Sequence, residues 1–487
     1  MTEFTVWAPA AARVRLRLPG VADHDLRRGP DGWWRAEVPG TGPGTDYAFL
    51  LDDDERPLPD PRSPWQPAGV PGPSRRYDHA AFRWTDQGWT GRQLPGSVLY
   101  ELHVGTFTPE GTFDAAIGHL DHLVDLGVDQ VELLTVNAFD GEHSWGYDEV
   151  SWYAPHQPYG GPDGLKRLVD AAHTKGLGMI LDVAYHHFGP AGAHPPIFAP
   201  YLSEQNNPWG RTVDLDGSHA DGVRRHIIDS VLMWLRDYHV DGLRLDGVPA
   251  APGSRLLHEL TAAVESLSVQ LGRPLSLIAE PDVNDPAHHA LPTLFTGDRA
   301  AQPLSAGLLR VGATLLMTAP LTPMLFMGEE WAASAPWQFL TSRPEPDLVT
   351  AVAVGRRRQF AGHGWAAGEV PDRQDRQAIV RSRLDWAELD KPEHREMYDF
   401  YRRLIALRRS RPDLSDPRRS RNDVRHGDQF LLMRRGECLV VANLAGKPQR
   451  INLSGVVRRV LLATESGVTV MRDGIELPPE SAAIVAL

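Results

Sequence analysis

The sequence predicts an α/β chain built on a parallel (β/α)8-type barrel, with a β-sandwich before it and an antiparallel β-domain after it. Three observations carry this expectation. Apolar runs ending on a carboxylate recur at Gly178–Asp182, Gly242–Asp246 and Leu275–Glu280, and segments with helical spacing of apolar residues lie between them. Continuous apolar strands alternating with helices imply a parallel sheet buried on both faces. At the two ends of the chain the pattern differs, with short β-like runs separated by turn residues.

The elements follow in order. Phe4–Trp7, Val14–Leu18, Trp33–Val38 and Tyr47–Leu51 alternate with Gly and Pro turns up to about Ala81, as in a small β-sandwich. Pro57–Pro73 is too rich in proline for a ladder or a helix and reads as an ordered wrap or linker. From Ser97 the rhythm becomes strand then helix. Val98–Leu102 and Gln130–Leu134 are the first two barrel strands, with Ala115, Leu120 and Leu123 at helical spacing between them. Leu165, Leu168 and Ala172 mark the helix before the Asp182 strand, and Val223, Ile227, Val231 and Trp234 the helix before the Asp246 strand. Leu256, Leu260, Val264 and Leu267 do the same before Glu280, and Ala306–Met317 reads as a further helix. After a helix near Pro392–Arg409, alternating runs at Phe430–Met433 and Leu439–Ala442 indicate the carboxyl-terminal β-domain. The expected domains are 1–90, 91–390 and 391–487.

Composition narrows the functional classes. A net charge of −13 argues against nucleic acid as a partner, because such binding needs clustered Lys and Arg to displace counterions. The single cysteine, Cys438, has no internal disulfide partner and favours a reducing compartment. The amino terminus lacks a basic region followed by an apolar stretch, and the most apolar window, about 312–327, holds Pro320 and Pro323 and is short for a bilayer. A cytoplasmic protein with no membrane partner is expected. No phosphate-binding glycine loop or metal-ligand spacing is present, so neither cofactor nor metal is expected. The pairs His186-His187 and His288-His289 do not suggest one, since neighbours on a strand point to opposite faces.

The chemistry sits at the carboxyl ends of the strands, the face on which β/α barrels build their active sites. Hydrolysis of a sugar acetal uses one carboxyl group as acid and a second to meet the developing oxocarbenium ion, about 5–5.5 Å apart when configuration is retained. Asp246 and Glu280 lie on adjacent strand ends and suit this pair. Arg244 precedes Asp246 by two residues, shares its face, and would keep it ionised as a nucleophile. Glu280 would be the acid/base, its pKa raised by burial and by the neighbouring charge. A strand-end acid that merely caps the next helix is the plainer alternative.

The segments Asp182–His187, Gly242–Asp246 and Ile278–Glu280 resemble three signature regions of the alpha-amylase superfamily. Tyr100–Phe113, Asn137–Asp140, Trp145–Asp148, Trp234–His239 and Met324–Trp331 resemble the malto-oligosyltrehalose trehalohydrolase family in particular, and the likeness runs from the sandwich into Gly355–Trp386. The resemblance implies cleavage of the α-1,4 bond next to the terminal trehalose of a malto-oligosaccharide, with Asp246 as nucleophile and Glu280 as general acid/base. It also implies that Arg244, His187, Asp182, Tyr147 and Trp145 hold the substrate. A branching enzyme or another α-glucan enzyme, and a non-catalytic glucan-binding protein, are the alternatives.

The departures from that family are specific. Its fourth region, Asn-His-Asp after the seventh strand, has no counterpart after Glu280. Pro281–Thr322 is 42 residues long, too short for two βα units of roughly 30 residues each. Residues His288–Asp298 resemble the part after the sixth strand, and the text then passes to what normally follows the seventh. A barrel incomplete around strands 6 and 7 is therefore expected, with impaired catalysis; Asp298 is the nearest acid left, in what reads as a turn. His186 stands where the family has asparagine, and Gly247 where it has alanine.

Overall fold

Six short runs rich in Leu, Val and Ile pair into one parallel sheet at the centre of the computed structural model, which describes residues 2–207, 210–248, 255–281, 297–338, 341–342, 376–418, 420, 422–453 and 455–487. In chain order its strands are β1 (Leu99–Leu102), β2 (Gln130–Leu133), β3 (Gly178–Val183), β4 (Gly242–Val248), β5 (Ser276–Pro281) and β6 (Met324–Phe326). In space they run β5-β4-β3-β2-β1-β6, every neighbouring pair parallel. The first five stand in chain order, as βα crossovers of one hand require. β6 lies on the other side of β1, the place of the eighth strand in a closed barrel. Among the described residues no strand joins β5 to β6, and the described sheet is a half-barrel wall. Residues 288–296 of the sixth-strand likeness and 355–375 of the later one lie outside the described residues.

Helices pack the wall through the residues that their spacing selects. α1 (Gly161–Thr174) buries Leu165, Leu168, Val169 and Ala172, and α2 (Ala220–Asp237) buries Val223, Ile227, Val231 and Trp234. α3 (Arg255–Leu271) buries Leu256, Leu260, Val264 and Leu267. α4 (Ala306–Thr318) starts at Ser305, whose hydroxyl accepts the Leu308 amide. α5 (Pro392–Ser410) carries Arg408, only 1% exposed, which donates to the carbonyls of Met317, Leu414 and Leu321 at 2.7, 2.8 and 2.9 Å.

Two β structures flank this centre. The amino-terminal one has a sheet of Thr2–Trp7, Trp33–Val38 and Arg27–Arg28 and a second of His24–Asp25, Val14–Arg17, Asp46–Leu51 and Ser74–Arg75. They enclose Phe4, Val6, Leu16, Trp34 and Phe49. The proline-rich stretch wraps the sandwich: Leu58 exchanges backbone bonds with Phe49, and Arg62 reaches Asp229 of α2 at 2.8 Å. The carboxyl-terminal part has five- and three-stranded antiparallel sheets, and its Met433, Val440 and Ile484 join the central core.

Beneath the sheet, at the amino ends of β3 and β4, buried His173 bridges two acids: Nδ1 is 2.8 Å from Asp86 and Nε2 is 2.9 Å from Asp241. Asp241 also accepts the Met179 amide at 2.9 Å and the Trp89 indole at 2.8 Å. Burial alone lowers the His173 pKa, but the bonds to Asp241 and Asp86 outweigh it and leave the pKa above its ordinary value. The stabilisation from a raised pKa is complete below the unfolded value of about 6.5 and is lost as pH rises through the folded value. Urea unfolding at pH 6 and pH 9 should show the advantage of the wild type over His173→Gln shrinking as pH rises; a pH-independent difference would contradict the charged bridge.

Candidate active site

A strand shows alternate residues to one face, and the register brings five strands' charged residues together. Glu101 stands beside Glu132 and Asp182 beside Arg244, while Asp246 and Glu280 continue the alternation from Arg244 and Ile278. Arg244, 13% exposed, is the centre of this cluster. Its Nη1 is 2.6 Å from Asp182 Oδ2 and 3.5 Å from Asp246 Oδ1, and its Nη2 is 2.6 Å from Glu280 Oε2. Its Nε is 3.7 Å from Glu132 Oε1. The Asp246 and Glu280 carboxyl groups hydrogen-bond to each other. The structure thus brings Asp182, Arg244, Asp246 and Glu280 into one constellation.

β4 leaves register with β5 between Leu245 and Val248, and Gly247 there has φ +56°. Such bulges at barrel rims re-aim a side chain, here that of Asp246. His186 packs against the bulge, its Nδ1 3.2 Å from the Asp246 carbonyl oxygen. A Cβ on Gly247 would lie 2.9 Å from the His186 ring. The two substitutions that set this chain apart from the family pattern therefore touch: the larger imidazole occupies space that the missing methyl leaves.

Tyr147 sits at φ +69°, costly for an aromatic residue, and its phenol donates to Asp182 Oδ2 at 2.9 Å. Its carbonyl lies 2.9 Å from His187 Nε2. A carbonyl can only accept, so Nε2 carries the proton; burial lowers the His187 pKa, and its buried Nδ1 has no hydrogen-bond partner. His187 thus offers an acceptor, Nδ1, toward the site. Trp145 stacks on Trp337, centroids 5.3 Å apart at 27°.

The electrostatics correct one expectation. Burial raises the Asp246 pKa, the Asp182 charge and the hydrogen bond to Glu280 raise it further, and Arg244 only partly offsets them. Glu280, expected to be the buried partner, has a side chain 43% exposed. With substrate absent, Asp246 is thus pushed toward its protonated form, because the acids crowding one guanidinium cannot all ionise. Burial likewise raises Asp182, Glu132 and Glu101. Glu101 and Glu132 escaped the sequence reading, although a charged residue inside an apolar strand was the available signal.

Asp298 is exposed in an irregular stretch before α4. Among the described residues no group of three His, Cys, Asp or Glu could hold a metal ion, and no helix is long and apolar enough to cross a membrane.

The family described as alpha amylase, catalytic domain, matches residues 79–196. A malto-oligosyltrehalose trehalohydrolase of Rhizobium sp. (strain M-11) is 43% identical over 99% of this chain and 97% of the relative. That of Mycobacterium tuberculosis (strain H37Rv) is 42% identical over 100% and 99%. Both alignments run to 581 residues against the 487 of this chain, so the relatives carry residues with no counterpart here. A solved Salmonella typhimurium structure, described as a candidate alpha amylase, has TM-score 0.88 and 30% identity, covering 100% of this chain and 97% of its own. The fold extends to an Anoxybacillus pullulanase complexed with maltotetraose, at TM-score 0.74 and 17% identity, covering 99% and 86%.

The packing of His186 on the bulge makes a definite demand. Gly247→Ala should lower unfolding stability by about 1–2 kcal/mol through the left-handed backbone alone, with more from collision with the ring. Adding His186→Asn should restore the collision part. Additive urea-unfolding energies for the two changes would exclude the contact.

Proposed function

This chain belongs to the malto-oligosyltrehalose trehalohydrolases, glycoside hydrolases of the alpha-amylase family, and we propose that Asp246 and Glu280 are its reacting pair. The reaction is hydrolysis of the α-1,4-glucosidic bond adjacent to the terminal trehalose of a malto-oligosyltrehalose. The observation that carries the residue assignment is the hydrogen-bonded contact of the two carboxyl groups beneath one guanidinium.

A sugar entering between them separates the pair toward the spacing of about 5–5.5 Å that retention needs. Separation removes the hydrogen bond that holds the proton on Asp246, and Arg244 then favours its carboxylate. Asp246 attacks the anomeric carbon while Glu280, having taken the proton, delivers it to the departing trehalose oxygen. Water then opens the glycosyl-enzyme with Glu280 as base. Arg244, Asp182, Tyr147, His187 and Trp145 hold the attacked glucose, His187 by accepting a hydrogen bond from a sugar hydroxyl at Nδ1. The lone buried Cys438 supports a cytoplasmic setting.

The fourth-region acid is absent from the sequence after Glu280, and one transition-state contact of that kind is worth about 2.7–4 kcal/mol. Trehalose release from maltotriosyltrehalose should therefore run roughly 10²–10³-fold below a relative that keeps Asn-His-Asp, and Asp246→Asn should abolish it. An ordinary glycosidase rate would refute the impairment. Release that survives Asp246→Asn would refute the assigned nucleophile.

A further inference from the structure

One buried carboxyl beside the site takes no part in the reaction above. Glu149, 3% exposed, begins the strand Glu149–Pro155 and pairs with Phe139 across a hairpin. Its Oε1 accepts the backbone N–H of Tyr147 at 3.0 Å, and the carboxyl also accepts its own amide and the Thr135 hydroxyl. Thr135 Oγ1 lies 3.3 Å from the same Tyr147 nitrogen, so Glu149 and Thr135 together grip one amide. That amide belongs to the residue strained at φ +69°, the phenol of which reaches Asp182, the acid bonded to Arg244. The approach is tight: a Cβ on neighbouring Gly146 would fall 2.3 Å from Thr135 Oγ1.

We propose that Glu149 is a positioning residue of the active site, holding the Tyr147 backbone in the left-handed turn from which its phenol orients Asp182 and meets the sugar. A left-handed aromatic residue persists only where its surroundings over-determine it. Here the grip comes from two sides, Glu149 and Thr135 on the amide and His187 on the carbonyl. Burial raises the Glu149 pKa to about 7 against the three donors that lower it, and the neighbouring Asp148 raises it. A buried acid kept at this spot at such cost fits a residue retained for position. Through Tyr147 and Asp182 it acts on the reacting pair without touching substrate.

The inference rests on the glucan reading above, and its test separates the two. Calorimetric affinity for maltotetraose would be measured for the wild type, Glu149→Gln, Glu149→Leu, Tyr147→Ala and Glu149→Leu/Tyr147→Ala, each well below its own unfolding midpoint. Glutamine keeps an acceptor at Oε1 and should stay within about threefold of wild type, whereas leucine should weaken binding about tenfold or more. In the Tyr147→Ala background the leucine change should cost less than about twofold, because the group that Glu149 positions is gone. An equal loss in both backgrounds, or loss with glutamine as large as with leucine, overturns the proposal. If the wild type binds no maltotetraose, the glucan reading fails and a crystal structure of Glu149→Leu decides the inference instead. Tyr147 still at positive φ with its bond to Asp182 would then overturn it, and a relaxed turn would support it.

Discussion

One guanidinium organises the acids at the mouth of this half-barrel. Arg244 bonds acids from three strands, Asp182 on β3, Asp246 beside it on β4 and Glu280 on β5, with Glu132 on β2 close by. A single positive charge cannot keep so many carboxylates ionised in a buried setting, so protons remain on some of them. That shortage of charge bears on the resting state of the site, pushing Asp246 toward its protonated form. The arrangement also explains why an arginine serves here: its planar fork reaches two acids through one nitrogen and a third through another.

The described wall that carries this site is a half-barrel. In a closed barrel each strand has two neighbours, whereas β5 and β6 have one each among the described residues. Strand edges are costly to leave open and prone to stray pairing. The residues of the site come from β2 to β5, which keep their mutual register, and the first five strands hold a continuous buried core.

Several local features make sense only as pairs. His186 and Gly247 are separated by some sixty positions, yet the ring of one fills the space over the other. Tyr147 holds a strained backbone because an amide grip and a carbonyl grip act on it together. His173 carries a proton in a buried place because two aspartates flank it. In each case one residue alone would be unfavourable, and the partner reverses the balance.

Periodicity alone placed the strands and helices of the centre, because buried strands and amphipathic helices write their burial into the spacing of Leu, Val and Ile. It also placed Asp182, Arg244, Asp246 and Glu280 at strand ends. The protonation of the acids could not be read this way, since a pKa depends on burial and on charges brought near by other strands, none of which spacing records. For the same reason the sequence pointed to Arg244 as the guard of an ionised Asp246, while burial and the Asp182 charge in the folded site raise its pKa. Glu101 and Glu132 were legible only as charges inside apolar strands, and Glu149 only as an acid close to Tyr147 in the chain; their burial is not written in the spacing. Only the folding of β1 to β5 side by side brings Glu101 and Glu132 toward Arg244, and in a crowded, dry interior it is neighbours that decide charge.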